Sequence, residues 1–275
     1  MPERGGKITS LFDTDHDREW LERSDHVLVG PADVEKSFDE GDMCGWDEML
    51  PTISPCHYPG ADLELLDHGE LWRVAWEVTQ QSSNAVSTRV QGHTLPYLFE
   101  RTLTLDARSL RVEYRVSTSG VDDLTFLWAA HPLFSLQPGT RIIVDSGSRS
   151  FDLLHDDGSR TLVSWPQIGV VISDVADVGL GQKFFARAQK EHVAVSLTDA
   201  DGTRVNLGWR SSEIPWLGIW MDNCSLSRRP VAAIEATNGP DDSLEASTLA
   251  GQSWTVSPGF DRQWSVELNT CGART

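Results

Sequence analysis

Apolar and polar residues alternate along much of the chain, which is the pattern of a β-strand with one buried face. The alternation is unbroken in residues 110–116, 205–209 and 264–268. In residues 71–79, two tryptophans and two valines fall on one face of a predicted strand, and Arg73 falls on the other. Further strands are predicted over residues 7–12, 18–21, 85–91, 97–105, 124–130, 141–144, 184–188, 193–197, 216–220 and 231–237.

Short turn signals such as Asp201-Gly202 separate the predicted strands. Helical periodicity is scarce, and only residues 242–249 predict a short helix, with Asp241 or Asp242 as its cap. Many short strands with frequent turns predict an all-β fold, either an antiparallel sandwich or a barrel. Because no repeat or linker divides the chain, we expect one domain over residues 1–275.

The composition is acidic and rich in tryptophan. Among 275 residues, 41 acidic and 23 basic side chains give a formal net charge of -18. A negative surface repels phosphate groups, so we expect neither nucleic acid nor membrane as a partner. The eleven tryptophans have two interpretations, because an indole ring either packs between sheets or offers a flat face to a sugar ring.

Several functional classes lack support in the sequence. The first seven residues carry no apolar segment typical of a secretory signal, so we expect a cytoplasmic protein. The four cysteines, Cys44, Cys56, Cys224 and Cys271, show no CxxC spacing, which favours free thiols over a zinc site. The chain also lacks a glycine-rich phosphate loop, HExxH and GxSxG, so nucleotide cofactors, zinc proteolysis and serine hydrolysis are not indicated.

Two histidines lie in settings that suit binding or proton transfer. His68 precedes Gly69, which allows a close backbone approach, and Arg73 follows with a planar donor group for ligand oxygens. The alternative for this segment is a surface turn followed by a half-exposed strand. His131 is the single titratable residue in the apolar run 126–134, and Pro132 favours an extended backbone before it. It is either a core histidine bonded to backbone or an acid–base group.

Glu235 lies in the middle of the predicted strand 231–237, between Ile234 and Ala236. An apolar setting raises the pKa of a carboxyl group, which suits a general base that works near neutral pH. The alternative is an edge strand whose Glu235 points to solvent.

Two further segments offer sugar-binding groups. Asp47 and Glu48 are adjacent acids beside Trp46, and they either hold sugar hydroxyls or belong to a solvated turn. Trp220 either stacks on a sugar ring or packs within a sheet.

Taken in order, several short motifs resemble proteins of the aldose 1-epimerase, or mutarotase, family. Residues 6–11 and 18–21 resemble the first strands of these proteins, with Asp17 where a glycine is usual, and residues 45–51 resemble a glycine-rich segment that ends in proline. Residues 68–73 are similar to the "H-G-F-A-R" segment of the hexose-6-phosphate branch, to which the chain is nearer. His131-Pro132-Leu133-Phe134 resembles "H-P-Y-F".

The resemblance spans nearly the whole chain and implies a large antiparallel β-sandwich with a sugar groove and no metal or organic cofactor. It implies that Glu235 is the catalytic base and His131 the catalytic acid, and that His68 and Arg73 bind substrate. An aspartate that usually binds sugar has no clear match. Lys183 or Asp177 would take its place.

As a mutarotase, the protein would interconvert sugar anomers by ring opening, with Glu235 starting ionised and His131 starting protonated. We expect a small-molecule sugar as its partner and a monomer or homodimer as its state. A phosphorylated sugar would need convergent cations, for which Arg73, Lys183, Arg18 and Arg101 are candidates. The alternatives are a non-catalytic carbohydrate-binding protein, or a glycan lyase or hydrolase that pairs Asp47 or Glu48 with Glu235.

Overall fold

Two antiparallel sheets make up most of the molecule. The computed structural model describes residues 1–25, 30, 37–41, 43–155, 157–165 and 179–271. Strands are numbered β1 to β21 in chain order. The seven-stranded sheet runs from edge to edge through β14 (Arg160–Ser164), β13 (Ser150–Leu154), β15 (Leu180–Arg187), β18 (Trp216–Asn223), β19 (Val231–Thr237), β11 (Ala129–Ser135) and β3 (Trp46–Met49).

The second large sheet has eight strands. It runs through β12 (Arg141–Asp145), β16 (His192–Thr198), β17 (Arg204–Arg210), β21 (Asp261–Cys271), β9 (Ser109–Thr118), β8 (Tyr97–Asp106), β7 (Ala85–Gln91) and β6 (Glu77–Gln81). The predicted all-β, antiparallel β-sandwich is therefore confirmed.

Short elements complete the described part of the chain. Three two-stranded sheets pair β1 (Phe12–Asp13) with β2 (Arg18–Glu19), β4 (Cys56–His57) with β5 (Glu64–Leu65), and β10 (Leu124–Phe126) with β20 (Trp254–Val256). The helices are α1 (Phe38–Gly41), a 3-10 helix (Leu71–Arg73) and α2 (Leu244–Leu249). None of the helices in the described ranges has the length and apolarity to cross a membrane.

The two large sheets enclose an apolar core rich in aromatic rings. The ring of Tyr114, from β9, lies 4.8 Å from that of Trp128 and stacks on that of Trp264 at 5.6 Å. In β9 the buried residues alternate with exposed ones, as the hydrophobic pattern predicts. Eight of the eleven tryptophans are buried, so most of them pack the sandwich.

Residues 71–79 do not form the single strand predicted for them. Leu71–Arg73 form the 3-10 helix, and β6 begins only at Glu77. The buried carboxylate of Glu70 accepts hydrogen bonds from two backbone N–H groups of the loop before β8 and from the Tyr97 hydroxyl. These hydrogen bonds hold the segment against that loop. They would be costly to break, since each satisfies a polar group that would otherwise be buried without a partner.

Other boundaries also differ from the sequence prediction. Residues 124–130 divide between β10 and β11, and residues 7–12 contribute one bridge, from Ile8 to Trp46, before β1. The cap of α2 is Ser243, whose hydroxyl accepts the Ala246 N–H at 3.2 Å, and neither Asp241 nor Asp242 has this role. The four cysteines are free thiols.

Candidate active site

Asp47, His131 and Glu235 lie side by side on three adjacent strands of the seven-stranded sheet. Asp47 of β3 pairs directly with His131 of β11. The pairs on either side, Ala129 with Thr237 and Leu133 with Ala233, set His131 opposite Glu235 of β19. Residues that lie directly opposite one another on neighbouring strands point to the same face of a sheet, so these three side chains share one face.

The other face of β3 looks into the sandwich, and Glu48 lies there. Its carboxylate accepts hydrogen bonds from the Tyr114 hydroxyl at 2.9 Å, Trp128 Nε1 at 3.1 Å and Arg101 Nη1 at 3.2 Å. Burial raises the pKa of Glu48 to about 7, against the opposing effect of Arg101. Of the two adjacent acids, only Asp47 is therefore on the same face as His131 and Glu235.

A cavity of about 330 Å³ lies over the face that carries His131. Its lining includes Phe38, His68, His131, Lys183, Trp220 and Asp242. This volume lies within the range of about 300–1,000 Å³ that is typical of small-molecule sites.

Glu235 is fully buried beside this cavity, and a lysine ammonium group holds it. Lys183 Nζ donates to Glu235 Oε1 at 2.7 Å and to Oε2 at 2.6 Å, and it also contacts Asp242 Oδ1 at 2.9 Å. Burial raises the pKa of Glu235, although Lys183 opposes this effect. Burial alone would lower the pKa of Lys183, but the carboxylates of Asp242 and Glu235 outweigh it and raise that pKa.

The strand next to Glu235 carries a glycine where the carboxylate needs room. Gly218 of β18 pairs with Glu235, and a Cβ at position 218 would lie 3.1 Å from Glu235 Oε2. Any larger residue would therefore press on the carboxylate.

The imidazole of His131 is 5% exposed, and its Nε2 lies 3.8 Å from Glu235 Oε1. Its Nδ1 has no hydrogen-bond partner among the described residues. Burial lowers the pKa of His131 well below its ordinary value, and the nearby His68, Lys183 and Lys7 lower it further. The imidazole is therefore neutral at neutral pH.

His68 reaches the cavity through an unusual backbone conformation. Its φ is +56°, in the left-handed region, and Gly69 follows at +64°, where an added Cβ would lie 2.0 Å from Leu50 O. The His68 ring stacks on Phe38 at 4.3 Å, and its Nδ1 bonds to Asp67 Oδ1 at 2.8 Å. Although burial acts in the opposite direction, this bond and the charge of His68 lower the pKa of Asp67, so the Asp67 carboxylate orients the imidazole.

Arg73 and Asp47 are engaged by protein groups. Arg73 packs its guanidinium over Trp72 at 4.5 Å and donates from Nη2 to Asp67 O at 3.3 Å. It is not among the residues that line the cavity. The Asp47 carboxylate forms a buried ion pair with Lys7.

The structure therefore brings together Glu235, His131, His68, Lys183 and Trp220 from the predicted set, and it sets Glu48 and Arg73 apart. It adds Asp242, Asp67 and Phe38, which were not predicted as site residues. Asp67 had a signal, since it directly precedes His68. Asp177 lies outside the described residues.

Among the residues that the structure describes, no group of three or more His, Cys, Asp or Glu side chains is arranged to hold a metal ion. A carboxylate and an imidazole, those of Glu235 and His131, lie 3.8 Å apart, and both kinds of group are able to transfer protons.

Comparisons with known proteins agree with this architecture. No protein-family model matches the sequence, and a comparison with curated proteins finds no match. Solved structures do match. A galactose mutarotase related enzyme from Lactobacillus acidophilus has a TM-score of 0.75 at 16% identity, with 98% of this chain and 93% of that chain covered.

Two other structures are similar to the same degree. The Slr1438 protein from Synechocystis sp. PCC 6803 has a TM-score of 0.75 at 17% identity, with 99% of this chain and 90% of that chain covered. A galactose mutarotase-like protein from Lactobacillus casei ATCC 334 has a TM-score of 0.75 at 15% identity, with 98% and 95% covered. The chain therefore has the galactose mutarotase-like β-sandwich fold.

Proposed function

We propose that this protein is an aldose 1-epimerase-like isomerase, which interconverts the α and β anomers of a sugar. The observation that carries the proposal is the pair Glu235 and His131, 3.8 Å apart beside a cavity of sugar-binding size. The fold shared with a galactose mutarotase related enzyme supports it. The cytoplasmic location and the monomeric or homodimeric state remain predictions from the sequence.

In this mechanism Glu235 takes the proton of the C1 hydroxyl while His131 gives a proton to the ring oxygen. The bond between C1 and the ring oxygen breaks, and C1 becomes an aldehyde. Rotation about the C1–C2 bond and reclosure, with both protons returned, give the other anomer. Each positioned proton transfer typically contributes about 10²–10⁴-fold to the rate.

This chemistry needs an ionised Glu235 and a protonated His131 together. Because the pKa of His131 is lowered and that of Glu235 is raised, this form is a minor one at neutral pH. The sequence-based expectation that His131 starts protonated therefore applies in acidic solution only. We expect kcat/KM to fall as the pH rises above the pKa values of both His131 and Glu235.

The charges around the cavity favour an uncharged sugar over a phosphorylated one. Arg18 pairs with Asp199 at 2.8 Å, and Arg101 bonds to Glu48 inside the sandwich. Neither is among the lining residues, which instead include the carboxylates of Asp39, Asp67 and Asp242. The convergent cations that a phosphate group requires are thus not assembled by the described residues.

A non-catalytic sugar-binding protein is the second candidate. It is favoured by the contact of Lys183 with both oxygens of Glu235, because an ammonium so close makes a carboxylate less basic. This candidate predicts saturable sugar binding without faster anomer exchange. The lyase or hydrolase alternative has less support, since Asp47 is paired with Lys7 and Glu48 lies on the opposite face of β3.

Anomer exchange measured by NMR on D-galactose and D-glucose tests the proposal. The parent protein should accelerate the exchange, and Glu235→Gln should lose about 10²–10⁴-fold in rate while its thermal unfolding shows a single transition like that of the parent. Glu267→Gln, on the exposed face of β21, makes the same chemical change outside the site and should keep the parent's rate. A Glu235→Gln variant as fast as the parent would remove Glu235 from the role of base.

A further inference from the structure

Lys183 lies in β15, on the same face of the seven-stranded sheet as Glu235. It pairs with Trp220, which in turn pairs with Ala233, two residues before Glu235 in β19. Its side chain is 11% exposed, and its ammonium group lies 5.2 Å from the centre of the Phe185 ring. The surrounding sheet thus fixes this cation within the site.

Two carboxylates hold the ammonium group of Lys183. A lysine Nζ offers three N–H donors and no acceptor. Lys183 donates to Glu235 Oε1 and Oε2, at 2.7 and 2.6 Å, and forms an ion pair with Asp242 Oδ1 at 2.9 Å. These contacts with two protein carboxylates favour a role in holding Glu235 over the direct substrate binding that the sequence suggested for Lys183.

We propose that Lys183 is a positioning residue that holds the Glu235 carboxylate ionised and correctly oriented to accept the C1 hydroxyl proton. This inference rests on the proposed function. The two oxygens of a carboxylate offer about four lone-pair sites, so the two bonds from Lys183 leave others for a substrate hydroxyl. Lys183 therefore fixes Glu235 without blocking it.

The same cation acts on the partner acid. The groups that face the Glu235–Lys183 pair are Asp242, from the loop after β19, His131 of β11 and His68, from the turn before the 3-10 helix. Removal of a cation stabilises every neighbouring protonated form, whichever group carries the proton. Loss of Lys183 should therefore raise the pKa of both His131 and Glu235.

Two variants with opposite charge changes test this role. In Lys183→Met, both limbs of the pH profile of kcat/KM should move to higher pH. In Asp242→Asn, which removes an anion from the same group, both limbs should move to lower pH. Lys183→Arg keeps the charge, and its profile should lie closer to that of the parent than the profile of Lys183→Met.

A direct titration separates this inference from the proposed function. The C2–H resonance of His131, assigned by its absence in His131→Asn, should titrate at higher pH in Lys183→Met and at lower pH in Asp242→Asn than in the parent. This readout needs no turnover, so it holds even if the parent fails to accelerate anomer exchange. An unchanged His131 titration, with only a raised KM for sugar, would overturn the inference and make Lys183 a substrate-binding residue. If Lys183→Met does not fold, the direction of the shift in Asp242→Asn decides.

Discussion

Glu48 makes the stability of this protein depend on pH in a way that can be worked out in advance. Its carboxyl group is completely buried between the two large sheets, where three donors surround it. Burial raises its pKa from 4.5 to about 7. The perturbation to study is Glu48→Gln, which keeps the size of the side chain and removes its titration.

The sign follows from proton linkage. Between pH 4.5 and 7 the unfolded chain releases the Glu48 proton while the folded protein still holds it, so rising pH favours unfolding. The stabilisation by the bound proton is complete below the pKa that Glu48 has in the unfolded chain. It is lost as the pH rises through the pKa that Glu48 has in the folded protein. With pKa values of 4.5 and about 7, the free energy of unfolding falls by roughly 2–3 kcal/mol between pH 5 and pH 8 on account of Glu48 alone.

The assay is urea unfolding of the parent and of Glu48→Gln at several pH values from 5 to 8. All other titrating groups are common to both proteins, so the difference between their free energies of unfolding isolates Glu48. Glu48→Gln also alters the hydrogen bonds to Tyr114, Trp128 and Arg101, so the readout is how the difference changes with pH and not its absolute size. Glu267→Gln controls for the general loss of one negative charge. A parent-minus-variant difference that stays flat, or rises with pH, would refute the reasoning.

Three further outcomes are expected. A sugar phosphate should bind at least about fivefold more weakly than the same neutral sugar, because one like-charge repulsion at an effective dielectric constant of 20–80 amounts to about 1–4 kcal/mol. Equilibrium titration of both ligands checks this, and equal affinities would contradict it. Gly218→Ala should slow anomer exchange, because its Cβ would lie 3.1 Å from Glu235 Oε2, and it should lower the free energy of unfolding by about 1–3 kcal/mol. An unchanged rate of anomer exchange would show that the added methyl group does not displace the carboxylate. Trp220→Ala should raise KM more than it lowers kcat, since the indole lines the cavity and has no part in the proposed proton transfers. Steady-state kinetics separates the two effects, and a loss confined to kcat would contradict the role of Trp220 in substrate binding.

Local patterns predicted most of the strands, because alternation depends only on neighbouring residues. Strand 231–237 was predicted with the bounds it has in the structure, and Glu235 is buried there. Asp17, which stands where the mutarotase motif that this segment resembles usually has glycine, has a φ of +51°. The position thus keeps the left-handed backbone that a glycine would adopt, and an aspartate tolerates that conformation better than most residues do.

The errors arose where distant parts of the chain decide the local structure. Trp72 and Trp76 have the spacing of a strand, yet the bonds of Glu70 to the loop before β8 anchor a 3-10 helix there. The ion pair between Lys183 and Asp242 joins residues far apart in sequence. No periodicity carries that information, so neither the role of Asp242 nor the pairing of Lys183 with these carboxylates was predictable.

Asp47 and Glu48 illustrate the same limit in one dipeptide. Adjacent residues of a strand must point to opposite faces, so only one of the two acids was ever able to share a face with His131. Which one does so depends on the pairing of Asp47 with His131 across β3 and β11, and the sequence does not specify that register.

Two fully buried carboxylates in one sheet have different tasks because of the partners that each face provides. Glu48, inside the sandwich, bonds to Tyr114, Trp128 and Arg101, and no cavity gives a ligand access to it. Glu235 is equally buried, but its closest partner is an ammonium group at the edge of the cavity. Burial raises the pKa of both groups, so a raised pKa alone does not distinguish a base from a structural carboxyl. The neighbours of each group distinguish them: Glu235 contacts Lys183 and lies 3.8 Å from His131, and both of these residues line the cavity, whereas Tyr114, Trp128 and Arg101 around Glu48 do not.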